Sequence, residues 1–525
     1  DFNSTDLNFY GAHINISNAQ KFHSVLDMSG LADFKGTVRG NLSNPNITLE
    51  LSAVDQSKSS ERFKGELFKQ PFDSIQLIAS GSLDGINIDK FNLEKDGKLK
   101  WTVIEGTVGL TGAKNINIRL DTTQARAENI IELVAPEIEL TGNVSNMIKV
   151  TGTFDKPKLV GNLKLNRGSI FGILVRGVEG DYLLEDKTIT LQNFEVTSPM
   201  IDMILNGKIE FPAPIFTMVK EGTIEKDSLT MDLKVTGNDI NLQRFKSKLP
   251  EKYNAEGHVK FEGSMRGKPS HLILNGELSA EEIFLNGVAL KNVYGHAEID
   301  GSDVRLTDFH FSGDDNSSCK AQITTNLETQ ILEGEIEVNE ASIAHMLTIF
   351  DKKNELIDGT LNSKILLNGT LIKPQGSLTG KIPQGTFANC DIHDINVDIK
   401  LLDDVIYINR LDGKQGNAGT INLQGKGAIN LHDKGKILRD TANRGSFGIT
   451  RLEAKNIEWG LFSNAAGYEV ETVGTADIVA ELKGTVEDPF IEVILISKDG
   501  GIKDSTFDLL HGHFLIKNQR VNVEE

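Results

Sequence analysis

Few residues in this chain have types and spacings suited to chemistry. His511 and His513 lie two apart, so on a strand both imidazoles share a face and begin a metal site. No third ligand stands at a matching distance, and a solvated strand face is the better account. Asp300, Asp303 and Asp308, and separately Asp314 and Asp315, offer oxygens to Ca²⁺. They lack the ligand spacing of a calcium loop and read as solvated turns. Cys319 follows a polar turn and Cys390 precedes a strand, neither in the basic, His-bearing setting that activates a thiolate. No zincin, Walker, nucleophile-elbow, dinucleotide or EF-hand motif occurs, and no carboxylate pair can be singled out for glycoside chemistry. The expectation is a chain that is not an enzyme, with no catalytic residue, no metal and no cofactor.

The elements that hold these residues belong to a folded, soluble-type composition. Of 525 residues 39% are apolar and 25% charged, with 50 Gly, close to ordinary globular usage. Phe (25) far outnumbers Tyr (6) and Trp (2), which suits a buried surface without polar partners. The net charge of −19 is spread along the length with no basic block, so nucleic acid is not an expected partner. Two cysteines exclude a disulfide framework. No run of about 18 apolar residues and no signal peptide are present. The chain reads as a piece of a longer protein, so that any membrane anchor or targeting signal lies outside it.

A repeat is the strongest feature. A Gly step followed by Pro recurs as Gly40-NLSN-Pro45, Gly152-TFDK-Pro157, Gly263-SMRGK-Pro269, Gly369-TLIK-Pro374 and Gly484-TVED-Pro489, the prolines lying 112, 112, 105 and 115 residues apart. Upstream of each proline comes a helix-like run: Ala19–Leu26, Ala127–Val134, Ile240–Leu249, Ala341–Phe350 and Asn456–Phe462. The period divides the chain into a partial repeat 1–35, four full β repeats 36–150, 151–262, 263–368 and 369–483, and a partial repeat 484–525.

Between these runs apolar and polar residues alternate as in half-buried strands. On the apolar parity stand Ile201, Met203, Leu205, Ile209 and Phe211; Leu229, Met231, Leu233 and Val235; Leu272, Leu274 and Leu278; Ile395, Val397, Ile399 and Leu401; and Ile421, Leu423, Ile429 and Leu431. Gly207, Gly276, Gly425 and Gly427 share that parity, where a missing side chain permits a sheet to bend. Turn signals at Asp403-Asp404, Asp314-Asp315-Asn316 and Lys414-Gln415-Gly416-Asn417 point to antiparallel meanders. Such a sheet cannot leave its apolar face in water. It closes on itself, pairs with another sheet, or holds something else there.

With its Gly-Thr-x-x-x-Pro steps and the two echoing stretches Gly161–Ser198 and Gly276–Gly313, the chain resembles the AsmA-like superfamily of Gram-negative envelope proteins, the TamB family in particular. The resemblance implies an elongated, repeat-built β-taco: a bent antiparallel sheet with a continuous hydrophobic groove and short helices once per repeat of about 110 residues. It further implies a periplasmic, bridge-like lipid transport protein, anchored to the inner membrane by a segment outside this chain and meeting an outer-membrane Omp85-type (TamA-like) partner. Phospholipid acyl chains would lie along the listed apolar residues. A chaperone role in outer-membrane β-barrel or autotransporter assembly, and a structural or adhesive β-repeat with a closed core, stay open beside it.

Overall fold

The computed structural model describes residues 4–16, 26–53, 64–67, 70–95, 99–128, 131, 138–170, 172–248, 254–285, 287–313, 317–344, 357–387, 390–403, 405–428, 446–461, 471–485, 489–517 and 520–524. The chain is all-β, 80% strand and 5% helix. It forms two compact units, one of residues 1–238 with 262–274 and one of residues 239–261 with 275–525.

In the first unit the chain meanders. Each strand from Ser4–Asn15 to Thr230–Asn241 pairs antiparallel with the next, apart from a small three-stranded sheet of Leu26–Ser29, Lys64–Leu67 and Gln70–Phe72 set off from the main one. In the second unit the same next-neighbour antiparallel pairing runs from Val288–Asp300 to Arg520–Val523. Burial follows the residue alternation. Along Thr230–Asn241, Met231, Leu233 and Val235 are buried while Thr230, Asp232 and Lys234 are exposed, as strand geometry requires.

Left-handed glycines stand in pairs along the chain. Gly40, Gly152, Gly267, Gly369 and Gly484 all have left-handed φ, between 94° and 123°, at the end of a long strand. A second left-handed glycine stands ten residues before each: Gly30, Gly142, Gly257, Gly359 and Gly474. The third copy therefore differs from the expected step. Gly263 lies within the strand Ala255–Lys268, and Pro269 sits in the tight turn to His271, so the structural counterpart of the other step glycines is Gly267.

The leading glycine marks a bulge. The register slips between Thr141 and Asn143, between Gly359 and Asn362, and between Val473 and Thr475. At Gly474 a Cβ would meet the Cα of Gly500 at 2.9 Å and the carbonyl of Asp499 at 3.0 Å, with φ at +96°. Only glycine combines that approach with that dihedral. The preceding strand answers with a bulge of its own, built on a left-handed non-glycine residue: His13, Gln124, Glu340 or Asn456. Its backbone N–H donates to the residue three beyond the glycine: His13 to Asp33 Oδ1 at 2.8 Å, Gln124 to Ser145 Oγ at 3.3 Å, Glu340 to Asn362 Oδ1 at 2.9 Å and Asn456 to Asp477 Oδ1 at 2.7 Å. An N–H taken out of the ladder by the bulge thus keeps a partner.

Three of the expected helical runs begin later than the residue pattern suggests, and the run from Ala127 turns helical where expected. Ile240 and Asn241 end a strand before the 3-10 helix Leu242–Lys248. Ala341 and Ser342, and likewise Asn456–Glu458, are strand. Helical turns follow at Ala127–Glu128, Ile343–Ala344 and Trp459–Leu461. The remainder of these runs, and most of Ala19–Leu26, lie outside the described residues. One helix was not expected: Ile215–Glu221, between the strands Asp202–Glu210 and Thr230–Asn241.

Candidate functional site: the apolar face

Directly opposed residues in an antiparallel pair point to the same face, so the register defines rows that cross the sheet. In the first unit one row starts at Phe9 and passes Gly36, Leu49, Ala79, Ile88 and Gly106. It continues through Ile118, Val150, Leu159, Leu184 and Ile189 to Ile209 and Met231. No polar residue interrupts these thirteen strands, a path of roughly 60 Å at about 4.8 Å per strand. An adjacent row runs from Phe34 through Leu51, Leu77, Phe91, Val103 and Leu120 to Ile148, then through Gly161, Tyr182, Leu191 and Gly207 to Leu233.

The second unit repeats the arrangement. Phe309, Ala321, Ile336, Ile365, Leu378, Ile399, Ile408 and Gly425 make one row. Val397, Leu411, Leu423, Leu452, Ala480, Val493 and Phe514 make another.

Most side chains of these rows are incompletely covered. From Phe9 to Ile209 every non-glycine member of the first row is half-buried. Met231, at the end of it, is 7% exposed and Leu233 beside it 2%. The unexpected helix contributes Ile215 and Met218 to the cluster that holds Phe211, Ile224, Leu229, Met231 and Leu233, and Met265 and Leu272 of the following strands pack against it.

Met203, Leu205, Ile209, Leu272, Leu274, Leu278, Ile395, Ile399, Leu401, Ile421 and Leu423 are half-buried; Phe211, Leu229, Met231, Leu233, Val235 and Val397 are buried. Ile201 precedes the strand in a turn where Ser198 Oγ donates to its carbonyl at 2.6 Å and accepts from its N–H at 2.9 Å. Ile429 and Leu431 lie outside the described residues, as do Asp314 and Asp315. What the sequence pattern missed is the row itself, since alternation within one strand says nothing of which residue faces it on the next.

Tyr182 is the polar intruder. Gly161 opposite leaves room for its ring, and a Cβ there would come within 2.8 Å of it. Asn146 Nδ2 donates to the Tyr182 hydroxyl at 2.9 Å. Burial raises the phenol above its ordinary pKa, with the Asn146 hydrogen bond pulling the other way.

The opposite face carries cross-strand ion pairs, among them Lys35–Glu50 at 2.8 Å, Lys164–Glu179 at 2.8 Å and Arg266–Asp232 at 2.9 Å in the first unit, and Arg451–Glu481 at 3.1 Å in the second. Lys234 lowers the pKa of Glu262, and Lys483 with Arg451 that of Glu481. These carboxylates are kept ionised by exposed partners, a solvated-face arrangement.

Of the residues first weighed for chemistry, His513 Nε2 lies 2.9 Å from Glu492 Oε1, and Asp303 Oδ1 accepts from Asn326 Nδ2 at 2.7 Å. Asp308 is a left-handed bulge residue. Cys319 is buried between Phe311 and Val338, and neither it nor Cys390 forms a disulfide. Among the described residues no group of three or more His, Cys, Asp or Glu is placed to hold a metal. No helix there is long and apolar enough to cross a membrane.

No protein family, curated protein or solved structure matches the chain.

Proposed function

We propose that the chain is a non-enzymatic lipid carrier whose apolar rows shield phospholipid acyl chains while head groups stay in water. The observation that carries this reading is the row of thirteen strands from Phe9 to Met231, unbroken and for most of its length only half-covered by protein. Each methylene kept from water is worth about 0.8 kcal/mol, so a ~16-carbon tail loses on the order of 13 kcal/mol at a wet gap. Transport along a surface therefore demands continuity, and the strand-to-strand register supplies it. A β-taco enclosing the rows, a periplasmic setting between two membranes and an Omp85-type partner belong to the same proposal and rest on the family resemblance.

The test is a photo-crosslinking residue placed in cells on adjacent parities. Probes at Ile118, Val150, Ile399 and Leu411 are expected to capture phospholipid, and probes at Arg119, Lys149, Lys400 and Arg410 are not. Equal capture at both parities, or none at either, overturns the reading. Capture of unfolded barrel strands at the apolar positions shifts it to the assembly-chaperone function.

A further inference from the structure

We propose that the helix Ile215–Glu221 is a lid seated on the apolar rows, displaced when an acyl chain passes the strands beneath it. The inference rests on the lipid-carrier reading and adds regulation to it. Four observations place the helix in that role.

It buries one side only: Ile215 and Met218 are 6% and 4% exposed, while Phe216 and Thr217 face outward. Its buried side chains share a cluster with Met231 and Leu233, the ends of two rows, and Ile189, Ile209, Ile131 and Ile138 pack against that cluster. Among the described residues its backbone hydrogen bonds outside the helix lie near its ends. The N–H groups of Phe211 and Ile215 donate to the carbonyls of Lys187 and Asp186, both at 2.9 Å, and the helix stops at the left-handed Gly222, followed by a bond from Thr223 N–H to the Met218 carbonyl at 3.0 Å. Finally, it has seven residues, no side-chain cap and no acidic residue in its first turn. A helix that short is not stable on its own in water, so it holds its form by being seated, and its seat is the path the acyl chain would take. An acyl chain offers Met231 and Leu233 the same kind of apolar contact as Ile215 and Met218, so exchange of one for the other keeps the rows covered.

The test uses the full chain with Cys319 and Cys390 replaced by Ala, and hexadecyl methanethiosulfonate as a single-chain acyl probe of thiols. Met231→Cys reports beneath the helix and Ile118→Cys reports on the same row away from it. The expected result is modification at position 231 several-fold slower than at 118, and equal rates once Ile215→Ser and Met218→Ser are added. Should the double substitution unfold the chain by circular dichroism, Gly222→Ala serves instead: its Cβ meets open space, but φ at +65° strains the helix end. Equally fast modification at both sites in the intact chain, or continued slow reaction at 231 after the helix is weakened, overturns the lid and leaves the carrier standing. Slow reaction at both sites in every variant removes carrier and lid together.

Discussion

Gly474 and Asp477 show how one bulge is held. The glycine accepts a φ of +96° and a partner Cα at the distance where a Cβ would collide, and Asp477 takes the N–H of Asn456 that the bulge frees. Gly474→Ala is expected to lose roughly 1–3 kcal/mol in denaturant unfolding, because backbone strain and a backbone contact coincide. Asp477→Ala should cost about 1 kcal/mol, and Asp477→Asn much less, since an amide oxygen accepts the same bond. The same measurement run against pH reports on Tyr182. Its folded pKa is raised by burial, so the neutral phenol is the form the fold favours, and its contribution is fully present below about pH 10, the unfolded value. Stability is expected to fall as pH rises beyond that, with Tyr182 ionising after the exposed tyrosines in ultraviolet titration. Tyr182→Phe should remove that portion of the alkaline loss.

At the scale of a strand, parity decides what a substitution costs. Leu423 faces Leu411 on one side and Leu452 on the other, whereas Gln424 beside it points to the exposed face. Leu423→Asp puts a carboxylate into the row at a cost of several kcal/mol. Gln424→Asp should stay within about 0.5 kcal/mol. Equal losses by thermal unfolding would mean that the two faces are not distinct. The strand pattern itself was readable in the alternation of apolar residues, and burial along Thr230–Asn241 follows it residue by residue. The helix Ile215–Glu221 was not readable. Its stretch offers Ile215, Met218 and Val219 between Pro214 and Gly222, too short a window for a 3.6-residue period to stand out, and its helicity depends on the apolar face beneath it.

For the whole molecule the prediction concerns continuity. On the lipid-carrier proposal, a single charge within the rows should stop lipid transfer by the full chain. Ile118→Asp interrupts the row between Gly106 and Val150, and Ile365→Asp the one between Ile336 and Leu378. Each is expected to abolish transfer between donor and acceptor vesicles, whereas Lys149→Asp and Lys364→Asp, on the exposed parity, should leave it nearly unchanged. Transfer that persists at half rate in either apolar variant would mean that the units act separately.

Local patterning alone determined that this chain is built of strands along which apolar and polar residues alternate, and that a glycine followed by a proline recurs along it, because a side-chain period of two and the composition of a turn are properties of neighbouring residues. The same patterning placed Met231, Leu233, Ile399 and Leu423 on the apolar side. It misplaced the third glycine step at Gly263, since a Gly followed by Pro looks alike whether or not the hairpin closes there, and only the left-handed φ at Gly267 distinguishes them. Tertiary structure decided the rest. Which residues stand opposite one another depends on bulges that slip the register by a residue or more, as between Thr122 and Ala125 or Val338 and Ala341. The rows are therefore the sum of many pairings between distant segments, each set by backbone hydrogen bonds that no single strand contains.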